Sequence, residues 1–230
     1  LALVGHAPLA LDTQWVGMAI AGDYAYVGHR WMDAPVQIID LHDPAAPTLV
    51  GTLAPDLEIS ELHAVADLAR LYVLATGGDV IAYDLADPVH PVEVGRVTIS
   101  TVLPHEMYLW RDPAVPTRIL GIITSVANTA PGLHVVDLSD PRAMSETWSG
   151  FAPGFHGVAL AADGARGFVA TLHDGMAVFD ATTITPASLG PRGCAADPSS
   201  ATRRPASAQA LANACGISSS PTTIRWSEAP

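Results

Sequence analysis

Three histidines stand near the starts of successive apolar runs, and their side chains are of a type that binds metal ions. They are His63, His105 and His156. Neutral imidazole binds zinc, copper, iron or nickel well, and a nearby carboxylate such as Glu106 or Glu61 would ligate the ion or orient a ring. The pattern predicts a divalent transition-metal site formed by His63, His105, His156 and Glu106.

A structural role explains the same histidines without a metal. An imidazole at the start of a strand can hydrogen-bond the backbone of the neighbouring sheet and so join the two sheets. The chain also uses histidine freely elsewhere, at positions 6, 29, 42, 90, 134 and 173. Signatures of other catalytic classes are missing, since there is no Gly-x-Ser-x-Gly elbow, His-Glu-x-x-His pair, Walker loop or dinucleotide fingerprint. Both interpretations of the histidines therefore stay open.

The elements that would position these histidines repeat along the chain. Residues 36–51 carry an apolar run ending in Asp40, followed by Asp-Pro-x-x-Pro and Val-Gly, and residues 80–95 repeat all these anchors about 44 positions later. Third and fourth copies of the run end at Asp137 and Asp180. Short β-rich runs with a period in the forties are typical of a β-propeller. The fold class predicted is therefore all-β.

Each repeat divides into four short runs separated by turn residues. In the first repeat these are residues 17–20, 24–27, 36–39 and 48–50. Such runs predict four-stranded antiparallel blades, with the first strand of each blade lining the channel. The aspartates at the ends of the third runs and in the Asp-Pro turns are predicted to bind nearby backbone N–H groups, as turn formers.

The repeats and the tail predict two regions. The propeller occupies residues 1–190, with blades at 9–53, 57–98, 103–150 and 153–190 and a partial strand at 1–8. About four blades are present, and we expect them to form part of a larger ring. Residues 191–230 are a Ser-, Ala- and Pro-rich tail predicted to be irregular. The tail contains Cys194 and Cys215, which fit a single disulfide or two free thiols equally well.

Charge and hydropathy narrow the class of partner. Eleven Lys and Arg against 23 Asp and Glu give a net charge of −12, which argues against nucleic acid and anionic membranes as partners. Apolar runs of the roughly 18–20 residues that a membrane span needs do not occur. A signal peptide is not visible at the start of the sequence.

The repeats resemble the LVIVD-repeat family of β-propeller proteins. The matching phrases are residues 37–51 and 81–91, together with Gly-Asp-Tyr-Ala-Tyr-Val at 22–27 and Ala-Asp-Gly-Ala-Arg-Gly-Phe-Val at 162–169. The resemblance covers about residues 1–185. It implies a secreted or surface-attached bacterial propeller, and most members of the family have no assigned activity.

Two functions follow as hypotheses. The first is an extracellular binding scaffold that holds a protein or a surface glycan through the loops at one face, the longest inserts being residues 30–35, 111–118 and 126–132. The second is a metal-dependent enzyme of the oxidase or hydrolase type with the histidine cluster at the channel mouth. The first is favoured by the family resemblance, the second by the histidines.

Overall fold

The computed structural model describes residues 1–9, 14–30, 35–53, 57–100, 103–127, 131–151, 154–172, 175–182 and 184. The chain divides into two units, Leu1–Thr185 and Pro186–Pro230. The second unit lies outside the described residues, so the irregular tail and the boundary after residue 190 stay predictions. The same holds for a fourth strand of the last repeat near residues 186–190.

Fifteen described strands form four antiparallel sheets, each following chain order. The first sheet contains β1 (Gln14–Ala21), β2 (Tyr24–Arg30), β3 (Val36–Asp40) and β4 (Thr48–Leu53). The second contains β5 (Ile59–Val65), β6 (Arg70–Ala75), β7 (Asp79–Asp84) and β8 (Val92–Thr98). The third contains β9 (Pro104–Arg111), β10 (Ile119–Ser125), β11 (Leu133–Asp137) and β12 (Ser145–Gly150). The fourth contains β13 (Phe155–Leu160), β14 (Arg166–Thr171) and β15 (Met176–Asp180).

The predicted all-β architecture of antiparallel blades is confirmed. The only helical element in the described part of the chain is one 3-10 turn, Ala66–Leu68. No described helix is long and apolar enough to cross a membrane.

The aspartates that end the third strands form turns, as predicted. Each accepts a hydrogen bond from the backbone N–H two residues on, at 2.8 Å for Asp40 and Asp84 and 2.9 Å for Asp137 and Asp180. A carboxylate that binds this N–H stops the strand and fixes the turn into the next one.

The register of these aspartates aligns the four sheets with one another. Their partners on the second strands are Tyr24, Arg70, Leu120 and Arg166. Two residues further along the second strands come Tyr26, Tyr72, Ile122 and Phe168, which are therefore equivalent positions. Backbone pairing alone therefore defines which residues of the four sheets correspond to one another.

Three hydrophobic cores fill the spaces between successive sheets. The first joins the first and second sheets around Tyr26 and Leu62, the second joins the next pair around Tyr72 and Met107, and the third joins the last pair around Trp110 and Leu160. The first strands of the sheets, β1, β5, β9 and β13, pack side by side in that order. Each sheet between two others is thus covered on both faces, which explains its continuous apolar strands.

The predicted partial strand at residues 1–8 is wrong, because residues 1–9 form no strand. The segment lies instead against the turn that follows β3. At Gly5 an added Cβ would come 2.1 Å from the carbonyl oxygen of Pro44 and 3.0 Å from Ala45.

Candidate metal centre

A β-bulge interrupts the first strand of every sheet at the same place. The register shifts between Trp15 and Met18 in β1, between Ile59 and Glu61 in β5, and between Phe155 and Val158 in β13. In β9 the register shifts between Pro104 and Met107, which pair with Ser125 and Ile123 of β10. A bulge places an extra residue on one strand and redirects its side chains, a device common next to functional sites.

Two of these bulges bring His105, Glu106 and His156 together. One possible ligand atom from each residue lies within 4.8 Å of the other two. Glu106 Oε1 lies 3.1 Å from Nδ1 of His156 and 3.8 Å from Nδ1 of His105. The two imidazole rings are 4.0 Å apart between centroids and tilted by 48°. Ligands of one tetrahedral zinc ion lie about 3.3 Å apart when their bonds are about 2.0–2.1 Å. The distances from Glu106 Oε1 to the two imidazoles are near that value, and the cluster as a whole, within 4.8 Å, would contract around an ion.

Thr124 holds the two bulges against each other. Its side chain is buried, and its hydroxyl accepts a hydrogen bond from the backbone N–H of Glu106 at 3.2 Å. The same hydroxyl donates to the backbone carbonyl oxygen of His156 on the neighbouring sheet. Thr124 therefore positions a carboxylate on one sheet and an imidazole on the next.

Gly157 makes room for the carboxylate. A Cβ at this position would lie 3.3 Å from Glu106 Oε2, tighter than most real Cβ contacts. The missing side chain lets Glu106 reach across from β9 to the bulge of β13. A small residue at this point of the bulge is thus part of the site.

His105 has the electrostatics of a neutral ligand. Burial, together with the nearby charges of His156 and Arg30, lowers its pKa to about 4. Its Nδ1 atom is buried and has no hydrogen-bond partner. A buried polar atom without a partner is costly, and an ion bound there would satisfy it. His156 is more open, with 46% of its side chain exposed, so water or a substrate has access to the cluster.

A second carboxyl group borders the cluster on β5. Burial and the charge of Glu106 raise the pKa of Glu61 to about 7, against opposing effects of a backbone hydrogen bond and of Arg30. Arg30 also donates to Ser60 Oγ at 3.2 Å, and that hydroxyl donates to the carbonyl oxygen of Pro104 at 3.1 Å. The rim of the cluster therefore combines a guanidinium with an acid.

His63 does not join the cluster. Its Nε2–H donates to the carbonyl oxygen of Met107 on the next sheet, which is the inter-sheet role that the structural interpretation gives these histidines. Burial lowers its pKa, against the opposing effect of that hydrogen bond.

Although all three histidines stand near the starts of apolar runs, His63 does not occupy the same position in its sheet as His105 and His156. His63 pairs with Tyr72, and the residues at the same position in the third and fourth sheets are Tyr108 and Ala159. His105 and His156 lie three residues before those positions, and Ser60 is the corresponding residue of β5.

Sequence reasoning also missed Thr124, Gly157, Ser60 and Arg30. The sequence does contain a sign that His63 and His156 are not equivalent. The distance from His156 to the strand-ending Asp180 is three residues longer than the distance from His63 to Asp84. Thr124 and Arg30 lie on second strands, far from the histidines in sequence, so only the sheet pairing brings them to the site.

The fold and its bulged inner strands define the class of protein as a β-propeller. Several solved structures have a similar fold. A protein from Lactobacillus plantarum matches with a TM-score of 0.58 and 17% identity, over 75% of this chain and 53% of that one. A putative 6-phosphogluconolactonase from Bacteroides uniformis matches with a TM-score of 0.59 and 13% identity over 76% of this chain and 54% of that one. The periplasmic gluconolactonase of Pseudomonas aeruginosa matches with a TM-score of 0.57 and 14% identity, over 76% of this chain and 54% of that one. This chain thus spans about half the length of the propellers it matches.

Two segments of the chain match the model of a known repeat. The model of the LVIVD repeat matches residues 16–54 and 124–149. The chain therefore carries LVIVD repeats, and the predicted resemblance is confirmed. No curated protein matches the sequence.

Proposed function

We propose that this protein is a metal-dependent enzyme that binds one divalent transition-metal ion through His105, Glu106 and His156. The observation that carries the proposal is the meeting of three ligand atoms within 4.8 Å on two neighbouring bulges. The buried Nδ1 of His105 supports the proposal. It has no hydrogen-bond partner in the protein, and a bound ion would supply one.

The ligand set favours a catalytic over a purely structural ion. Structural zinc is closed by four protein ligands, whereas catalytic zinc keeps a position open beside three, as in sites with two histidines and one glutamate. Here three protein groups converge, and His156 is partly exposed. An ion held there would polarise a carbonyl oxygen and lower the pKa of a bound water.

We propose hydrolysis as the reaction class. Two of the solved propellers that share the fold are described as lactonases, which makes lactones and esters the first substrates to test. Arg30 and Glu61 border the cluster, so a polar or anionic group of a substrate would find both a positive charge and an acid there.

The scaffold function stays a second proposal, and one insert supports it. Asp67 binds the Arg111 guanidinium with both oxygens, at 2.9 and 2.8 Å, and Asp112 binds Arg118 at 2.9 Å. These contacts tie both ends of the 111–118 loop, and we propose this loop as the place where a protein or glycan docks. Parts of the other two inserts, residues 31–34 and 128–130, lie outside the described residues.

Titration calorimetry with Zn²⁺ tests the metal proposal. We expect one ion per chain, and His105→Ala or His156→Ala should weaken binding by at least about tenfold, the loss usual even for an outer-shell partner. His63→Gln is the matched control, since the glutamine amide can still donate to Met107 and the residue lies outside the cluster. Equal weakening by His63→Gln, or full affinity after His105→Ala, would sink the assignment.

A hydrolysis assay then tests the reaction class separately. Wild-type protein loaded with metal should open δ-lactones, and chelation should abolish that activity. Binding of the ion without turnover of any lactone or ester would leave the metal site intact and refute the hydrolase proposal.

A further inference from the structure

We propose that Ser60 and Arg30 are positioning residues of the metal centre, which hold the backbone next to His105 from the two preceding sheets. The inference rests on the proposed metal site and names the groups that support its least exposed ligand. It stands on two hydrogen bonds, one from the first sheet to the second and one from the second to the third.

Ser60 occupies in the second sheet the position that the ligand histidines occupy in the next two. The sheet pairing makes it the counterpart of His105 and His156, and all three lie in the bulge of their first strand. Ser60 is buried, so its hydroxyl lies inside the protein at the level of the cluster. Where the third and fourth sheets carry an imidazole, the second sheet thus carries a small hydroxyl group.

The Ser60 hydroxyl makes two hydrogen bonds whose directions follow from the chemistry of its partners. The Arg30 guanidinium on β2 can only donate, so Ser60 Oγ accepts from its Nη2 atom at 3.2 Å. The carbonyl oxygen of Pro104 on β9 can only accept, so it receives the single hydroxyl proton at 3.1 Å. Arg30 therefore favours the one hydroxyl orientation that directs the proton to the third sheet.

The Pro104 carbonyl belongs to the peptide bond that leads into His105. The proline ring restricts the φ angle of Pro104, and the hydrogen bond from Ser60 holds its carbonyl group. Because the peptide bond is planar, the position of this carbonyl also sets the backbone nitrogen of His105. The support matters for chemistry, since a functional group has to be held within about 0.5 Å of its productive position.

Thr124 supports the other two ligands in the same way. Its hydroxyl accepts from the N–H of Glu106 and donates to the carbonyl oxygen of His156. Ser60 and Thr124 each donate to the sheet that follows their own, and both are buried. Two hydroxyl groups thus hold the backbone at or next to every ligand, which gives Ser60 the role for His105 that Thr124 has for its two partners.

Zn²⁺ titration of Ser60→Ala tests this role. We expect the dissociation constant to rise by about 10- to 100-fold, as for other groups that support a ligand. With Co²⁺ in place of Zn²⁺, the visible absorption bands should also change, because they report the ligand geometry and are not altered by a loss of stability alone. Ser60→Thr keeps the hydroxyl and should restore both the affinity and the spectrum.

Two substitutions of Arg30 separate its donor from its charge. Arg30→Gln keeps an N–H group that can donate to Ser60 Oγ and should leave the Co²⁺ spectrum as in the wild type. Arg30→Met removes the donor and should change the spectrum as Ser60→Ala does. Identical spectra for the wild type and Arg30→Met would remove Arg30 from the assignment.

Ser139→Ala is the matched control for Ser60→Ala. The Ser139 hydroxyl accepts from the backbone N–H of Ile119 at 3.1 Å, at the opposite end of β10 from Thr124. Urea denaturation measures the stability that each serine variant loses. Ser139→Ala should keep the wild-type affinity and spectrum, and an equal loss of affinity in both variants would overturn the positioning role of Ser60.

Proton NMR of the His105 ring in metal-free protein separates this inference from the metal proposal. Ser60→Ala should shift the His105 ring resonances, whereas Ser139→Ala should leave them in place. Unchanged resonances together with unchanged Zn²⁺ affinity in Ser60→Ala would overturn the inference while the metal centre stands. A wild type that binds no Zn²⁺ would refute the metal centre, and the His105 resonances would then decide alone whether Ser60 positions this residue.

Discussion

Glu106 reaches from the third sheet to His156 on the fourth, with its Oε1 atom 3.1 Å from the imidazole Nδ1. The contact joins two bulges that occupy the same position on neighbouring strands. It is therefore a product of the repeat, although neither residue belongs to the repeated sequence phrase. The ligand atoms meet because the bulges redirect them and Thr124 fixes the spacing between the strands.

Thr124→Val should weaken metal binding by about 10- to 100-fold, the range typical of outer-shell partners. The valine keeps the shape of the side chain but leaves the Glu106 N–H and the His156 carbonyl without their partner. The unfolding free energy should also fall by about 1–3 kcal/mol. Calorimetry and urea denaturation measure the two effects.

Thr147→Val is the control for that substitution. Thr147 donates to the carbonyl oxygen of Val135 at 3.2 Å within the third sheet and does not contact the cluster. It should lower stability by about 0.5–1.5 kcal/mol and leave metal affinity unchanged. Parallel losses of affinity in both threonine variants would show that Thr124 acts only through stability.

Gly157→Ala should reduce metal affinity while leaving the fold intact. The new Cβ would lie 3.3 Å from Glu106 Oε2, so the carboxylate must shift by a few tenths of an ångström relative to His156. We expect a loss of about tenfold in the calorimetric titration. Gly77→Ala, where an added Cβ has open space, should have no such effect. An unchanged affinity in Gly157→Ala would show that Gly157 is not needed for the site.

Glu146 should make the protein sensitive to acid. Burial raises the pKa of Glu146, but hydrogen bonds from His134 and Ser100 outweigh burial and lower it overall. A carboxyl group with a lowered folded-state pKa contributes stability that is complete above its ordinary pKa, about 4.3, and is lost as the pH falls through the folded-state value.

Urea denaturation from pH 7 to pH 3 checks this expectation. Glu146→Gln should be less stable than the wild type at pH 7, and the difference should shrink below about pH 4.3. Glu93→Gln, in an exposed ion pair with Arg96, should follow the wild-type curve closely. A difference between wild type and Glu146→Gln that is constant over the whole range would contradict the linkage.

Tyr26 and Tyr72 should contribute equally to the joining of sheets. They occupy equivalent positions, and each phenol donates at 2.9 Å to a carbonyl oxygen of the next sheet, Pro88 and Leu138 respectively. Tyr→Phe at either position should cost about 0.5–1.5 kcal/mol of unfolding free energy. Tyr83→Phe is the control, because its phenol has no hydrogen-bond partner within the described residues. A loss confined to one of the two tyrosines would contradict their equivalence.

The sequence predicted the sheets better than the site. The aspartate-terminated runs gave the order and antiparallel pairing of the strands, because Asp40 and its equivalents fix turns by local hydrogen bonds. The cluster depends on non-local geometry. His63, like His105, stands near the start of an apolar run, but it lies three residues further along its strand, and its ring contacts the Met107 carbonyl instead. Residues 1–8 resemble the last strand of a repeat in sequence, but in the structure they form no strand and lie against the turn after β3.

Anomalous diffraction at the zinc edge, on crystals soaked in Zn²⁺, tests the central claim most directly. The account predicts a single strong peak bonded to His105, Glu106 and His156 at about 2.0–2.2 Å, with no density at His63. The same peak should vanish in His105→Ala crystals. A peak at another site, or none at the cluster under saturating zinc, would contradict the assignment.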